Sequence, residues 1–167
     1  GAGGVPAVHL SCHGTNRYPG LNESVLMMED GLGGDRPTTA SELAQLLTYP
    51  PRLLFVSACL TGTAAAAEEA VAHSFASAIV TAGLPAVVAW DGSVGDQAAT
   101  VFAQRLYDDL ANGADLGLAV GDARRRLLNS PDEHLRADWH LARVWLGAAG
   151  GGREALDDLL DLGGLER

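Results

Sequence analysis

Two residues of this chain are of the types that together carry out nucleophilic acyl transfer, and each stands at the end of an apolar run. His13 closes Val5–His13 (VPAVHLSCH), and Cys59 follows Arg52–Ser57 (RLLFVS) within Ala58-Cys59-Leu60-Thr61-Gly62. A cysteine attacks only as the thiolate, and with a free pKa of about 8.5 only a few per cent is ionised at neutral pH unless a neighbour assists. An imidazole is the usual assistant. A helix beginning near Ala64 would add a dipole that favours negative charge at its N-terminus. Small residues flank both positions and leave room for a substrate backbone. Each also has a plainer reading, since free cysteines are among the most buried residues and a loop histidine is commonly bonded to backbone.

Other chemistries fit less well. His9, Cys12, His13 and Cys59 are zinc-type ligands. Strand alternation puts His9 and His13 on one face and Cys12 on the other, so one strand cannot aim all three at an ion. His73, His134 and His140 read as core or surface residues. Gly31-Leu32-Gly33-Gly34 lacks the spacing of a dinucleotide loop and runs into Asp35-Arg36-Pro37 instead of a helix, so a flap is the better reading. No Gly-x-Ser-x-Gly elbow supports a serine hydrolase, and no dense Asp run supports calcium. No cofactor is implied.

The elements that must position His13 and Cys59 follow from apolar patterning. Val5–His13, Arg52–Ser57, Ala86–Trp90 and Trp139–Leu146 read as strands, the second apolar throughout as in a parallel strand covered on both faces. Val25–Met28 reads as a short strand of a small hairpin or flap ending at Asp30-Gly31. Helices are expected over Ala40–Leu47, opened by the Thr39/Glu42 capping box with Leu43, Leu46 and Leu47 inward, and over Ala64–Ala82, closed by Gly83. Further helices are expected over Gln97–Ala111, capped by Asp96, over Leu116–Leu128 and over Arg153–Leu162. The alternation of strand and helix indicates an α/β layered domain with a mostly parallel sheet. Ligands of such sheets bind beyond the strands' carboxyl ends, where His13-Gly14, Cys59–Gly62 and Asp91–Asp96 fall.

Composition narrows the partners. The 167 residues are 47% hydrophobic and 19% charged, which excludes a disordered tail. The net charge is −10 and there is no lysine; Arg124-Arg125-Arg126 is the one basic cluster, so nucleic acid is not an expected partner. No run approaches the roughly 20 apolar residues of a membrane span, and Gly1-Ala2-Gly3-Gly4 does not resemble a signal peptide. The chain therefore reads as cytoplasmic, with Cys12 and Cys59 as free thiols. The glycine-rich start is compatible with a linker inside a longer protein.

Val8-His9-Leu10-Ser11-Cys12-His13-Gly14 and Leu54-Phe55-Val56-Ser57-Ala58-Cys59-Leu60-Thr61-Gly62 resemble the paired signature of CHAT domains, caspase-like cysteine peptidases of the clan of separase, caspases and gingipains. Further blocks match in order: Gly83–Trp90 with Val94-Gly95-Asp96, Ala119–Arg124, and Asp138-Trp139-His140 with Trp145-Leu146-Gly147. The resemblance spans about Val8 to Gly147. It implies a three-layer α/β/α fold, His13 as the catalytic histidine, Cys59 as the nucleophile, and the N–H groups of Gly14 and Cys59 as the oxyanion hole. It also implies a protein or peptide substrate and association with tetratricopeptide-type sensor modules.

Two departures matter. The family sheet has six strands, with two strands and a helix ahead of the histidine strand, where only about four residues stand here. Residues 1–167 are therefore expected to form a single but partial, carboxyl-terminal domain, completed by an upstream segment or a second chain. The run Trp90-Asp91-Gly92-Ser93-Val94-Gly95-Asp96 replaces the family's Trp-Pro-Val-Asp-Asp type loop beside the substrate groove. Trp90, Asp91 and Asp96 are the expected substrate-binding residues, and either acid could receive a basic side chain before the cut. The alternative to an endopeptidase is an inactive binding or scaffold module that keeps the fold within a larger signalling protein.

Overall fold

The computed structural model describes residues 7–15, 18–60 and 65–147, with backbone alone for 59–60 and 65–72. The expected helix Arg153–Leu162 lies outside them. The described residues divide into two compact units, one within 7–93 with 143–147 and the other 94–142.

The first unit is built on a sheet. Its strands are β1 (Ala7–Thr15), β2 (Val25–Glu29), β3 (Asp35–Thr39), β4 (Leu53–Leu60), β5 (Ala86–Trp90) and β6 (Ala142–Leu146), with helices α1 (Ala40–Leu46) and α2 (Ala65–Thr81). The strand order is β3-β2-β1-β4-β5-β6. The central three, β1, β4 and β5, are parallel, and β2 and β3 join antiparallel. β6 runs antiparallel to β5: the Gly147 N–H donates to the Pro85 carbonyl ahead of β5 at 2.8 Å, while Arg143 pairs with Asp91 beyond its end. The α/β class expected from the sequence is thus observed, with a mixed sheet around a parallel centre.

The apolar character of β4 has the expected cause. Leu53, Leu54, Phe55 and Val56 are all at most 4% exposed. Leu54 and Val56, with Val87 and Ala89 of β5, pack against Leu43 of α1 and Phe75, Ala76 and Ile79 of α2. Val8, Leu10 and Cys12 of β1 extend this face and are half-buried. At the end of α2, Gly83 adopts φ +113°, the left-handed conformation that closes a helix at least strain in glycine. Gly147 is glycine for a different reason: a Cβ there would lie 2.3 Å from the Leu84 carbonyl oxygen.

The helices α3 (Asp96–Ala111), α4 (Leu116–Leu128) and α5 (Glu133–Ala137) form the second unit. Ala98, Phe102 and Leu106 of α3 and Leu116, Ala119, Val120, Ala123 and Leu127 of α4 are its buried residues. Asp115 caps α4, its carboxylate accepting the Leu118 N–H at 2.8 Å. Arg124 donates to the Ala142 carbonyl, and Arg125 pairs with Asp122.

Several expectations are corrected. The strand expected over Val25–Met28 is present as β2, and of hairpin or flap it is the hairpin that forms, with β3 as its second, unlocated strand and β2 joined to β1 at His13–Thr15. Gly31–Gly34 forms the turn between β2 and β3, where the Asp30 carboxylate accepts the N–H groups of Leu32 and Gly34. β1 and β4 extend past the expected ends, to Thr15 and Leu60, so Cys59 lies in a strand and not just after one, while His13 is within its strand as expected. β6 begins at Ala142, with residues 139–141 in a turn, and α5 was not anticipated. Of the three leucines expected inward, Leu43 is buried, Leu47 packs partly against the core and Leu46 is 59% exposed. Gly95, not Asp96, is the N-cap of α3, because the Gly95 N–H is taken by Asp138 at 2.9 Å and Asp96 is already helical. No helix among the described residues is long and apolar enough to cross a membrane.

The capping box of α1 is complete: the Glu42 N–H donates to the Thr39 hydroxyl and the Thr39 N–H to the Glu42 carboxylate. Thr39→Ala is expected to cost about 1 kcal/mol, read as a fall of about 2–4 °C in Tm. The Thr39 N–H also holds the Glu42 carboxyl below its ordinary range. A depressed carboxyl stabilises above its unfolded pKa, so this contribution fades as pH falls through the folded value.

Candidate active site

The site is assembled by the register between β1 and β4, in which His9 stands opposite Phe55, Ser11 opposite Ser57, His13 opposite Cys59 and Gly14 opposite Leu60. Neighbouring strands lie about 4.8 Å apart, and residues two apart share a face. His13 and Cys59 are therefore adjacent on one face, at the carboxyl end of two parallel strands. The apolar core of α1 and α2 fills the opposite face, reached by Val8, Leu10, Cys12, Leu54 and Val56.

His13 is exposed and Gly14 is buried. Gly14 keeps ordinary strand backbone with no positive φ, so its suitability rests on the close approach that the lack of a side chain permits. Beneath this row lies an aromatic layer. The His9 ring stacks on Phe55 at 4.5 Å with an interplanar angle of 19°, and Phe55 meets Trp90 at 6.0 Å, tilted. Burial holds the His9 imidazole below its ordinary pKa, favouring the neutral ring.

Cys12 behaves differently from what a nucleophile needs. It lies on the core face, and burial pushes its thiol up to about 11, leaving it protonated at neutral pH. Its placement separates it from His9 and His13, as strand alternation requires. Among the described residues no group of three His, Cys, Asp or Glu side chains is arranged to hold a metal ion.

Of the three expected substrate-binding residues, Trp90 and Asp91 belong to the first unit and Asp96 to the second. Trp90 is 1% exposed and directs its Nε1–H to Ser57 Oγ at 3.2 Å. Asp91 is held by Arg143 of β6, with Nε to Oδ2 at 2.9 Å. Asp96 is exposed in the first turn of α3. Ser57 was not singled out from the sequence, and His9 was weighed only as a zinc-type ligand. The signal for Ser57 was its position two residues before Cys59, on the same strand face.

The β1–β4 register thus sets His13 opposite Cys59 at the carboxyl ends of two parallel strands of an α/β domain. The chain belongs to the CHAT domain family, whose model matches residues 2–149. That family is related to the caspase-like cysteine peptidases. No curated protein matches the chain.

Proposed function

We propose that this domain is a cysteine endopeptidase in which His13 and Cys59 act as a dyad. The observation that carries the reading is the pairing of His13 with Cys59 across β1 and β4. Imidazole withdraws the thiol proton, and the thiolate attacks the scissile carbonyl. The N–H groups of Gly14 and Cys59 serve as donors to the oxyanion. His13 then protonates the departing amine, and water attacks the acyl-enzyme with the same imidazole as base, releasing the acid. A protein substrate, and control by a tetratricopeptide-type sensor or an added strand, belong to the same proposal and draw on family membership alone.

Cleavage after a basic residue is also part of it. Asp96 is exposed and has no ion-pair partner among the described residues, whereas Asp91 must exchange Arg143 for the incoming cation.

The test is a mixed fluorogenic peptide library given to the wild-type chain and to Cys59→Ala. Cuts by the wild type alone, concentrated after Arg and Lys, support the whole reading. Equal cutting by both, or no cutting by either, refutes the peptidase and leaves a binding module, and cuts after acidic or apolar residues remove the basic preference.

A further inference from the structure

The basic triplet Arg124-Arg125-Arg126 is divided by its helix. Arg124 turns inward and donates to the Ala142 carbonyl, while Arg125 and Arg126 are exposed. Leu118, Asp122, Arg125, Arg126 and Asn129 make a row along the outer side of α4, at helical spacing. From α3, Arg105 joins the row. Its Nε lies 2.9 Å from Asp109 Oδ2 and its Nη2 3.3 Å from Asp122 Oδ2, and Arg125 pairs with the other oxygen of Asp122. A carboxylate is thus held between two guanidiniums that come from different helices. Around it, Arg105, Asp122, Arg125, Arg126 and Asn129 line a cavity of about 330 Å³.

The preference of a helix C-terminus for cations accounts for Arg125 and Arg126 in the last turn of α4. It does not account for Arg105, in the middle of α3, nor for the donors left over. Asp122 engages one Nη of each of its two arginines, and the Arg126 guanidinium and the Asn129 amide have no ion pair or hydrogen bond among the described residues. A guanidinium is a planar fork of five N–H donors that matches a carboxylate in two parallel bonds. Three arginines against Asp109 and Asp122 leave one positive charge in excess, in a chain of net charge −10. That is too little for a polyanion, whose binding rests on many neutralised phosphates. No apolar side chain lines the cavity, whereas small organic ligands are enclosed mainly by apolar walls. An apolar contact is offered outside it, by Leu118, 59% exposed and about 11 Å along α4 from the arginines.

We propose that this groove between α3 and α4 docks an acidic segment of a partner protein, whose carboxylates are taken by Arg126 and the free donors of Arg125 and whose apolar side chain covers Leu118. Arginine is enriched in such interfaces. Every residue involved lies in the helical unit, so docking there does not depend on peptide cleavage.

The test is fluorescence anisotropy, on the whole chain, of a fluorescein-labelled helical peptide bearing one leucine and, two turns further on, paired glutamates. Its glutamine counterpart and inorganic phosphate are the comparison probes. The acidic peptide is expected to bind, to weaken as salt rises above about 0.15 M, and to bind roughly tenfold more tightly than the glutamine peptide, the scale of a hydrogen bond to a charged group. Arg126→Ala should lower its affinity roughly tenfold with an unchanged melt, because the guanidinium has no partner to lose among the described residues. Leu118→Ala should lower it as well. Asp122→Asn withdraws the competing carboxylate from Arg105 and Arg125 and should raise it. Arg52→Ala, at an exposed arginine of the other unit, should leave it unchanged. Equal binding of the two peptides, binding of neither, or an affinity that ignores Arg126→Ala overturns the inference and leaves the arginines serving only the helix end. Binding of phosphate without the acidic peptide overturns it too, since the cavity then takes a free anion.

Discussion

His13→Ala is expected to lower kcat/KM for peptide cleavage by roughly 10²–10⁴-fold, the contribution of a positioned general acid and base. The fold should hardly notice. His13 is exposed and belongs to β1 through its backbone, which pairs with Met27 on one side and Cys59 on the other, and exposed substitutions of this kind usually change stability by within about 0.5 kcal/mol. Progress curves on a fluorogenic peptide, taken with a thermal melt of the same preparation, check both halves. Activity retained within about tenfold, below the range for such a group, would deny His13 its role. A collapsed melt would make the loss uninformative about chemistry and contradict the placement of the side chain at the surface.

Phe55→Ala is expected to cost roughly 3–5 kcal/mol, a fall in Tm of about 6–20 °C for a chain of this length. Phe55 is 0% exposed and touches rings on both flanking strands, His9 in β1 and Trp90 in β5. Its removal takes out dispersion contacts on three strands and leaves a cavity that the stiff sheet cannot close. Urea unfolding measures the cost, and a value under about 1 kcal/mol, far below the range for a buried aromatic, would mean that the aromatic layer does not hold the strands in register. Phe55→Leu retains most of the apolar volume and should lose much less.

His13 and Cys59 could be singled out because their strands are strongly apolar and because Gly14 follows the one and Ala58 precedes the other. Their juxtaposition could not, since lateral register depends on which strands pair and at what offset, a non-local property. The same limit hid the Trp90–Ser57 bond and the capture of Asp91 by Arg143, which joins residues 52 positions apart. β3 escaped notice for a local reason: Asp35, Arg36 and Pro37 are poor strand formers, and proline is tolerated there because β3 lies at the sheet edge. The hairpin of β2 and β3 then adds strands to a sheet that the apolar pattern alone gave only four firm members. The α3 cap shows how weak boundary signals are, since Asp96 has the right chemistry for a cap yet sits one residue inside the helix, where its charge still suits the helix dipole.

The account turns on Cys59 being a thiol activated by its folded surroundings. Treatment of the folded wild-type chain at neutral pH with a peptidyl chloromethyl ketone ending in arginine, followed by peptide mass mapping, tests that most directly. The adduct is predicted on Cys59 alone, absent from Cys12 and strongly reduced in His13→Ala and in the urea-unfolded chain. Equal labelling of Cys12 and Cys59, or labelling of Cys59 that survives unfolding unchanged, would contradict it.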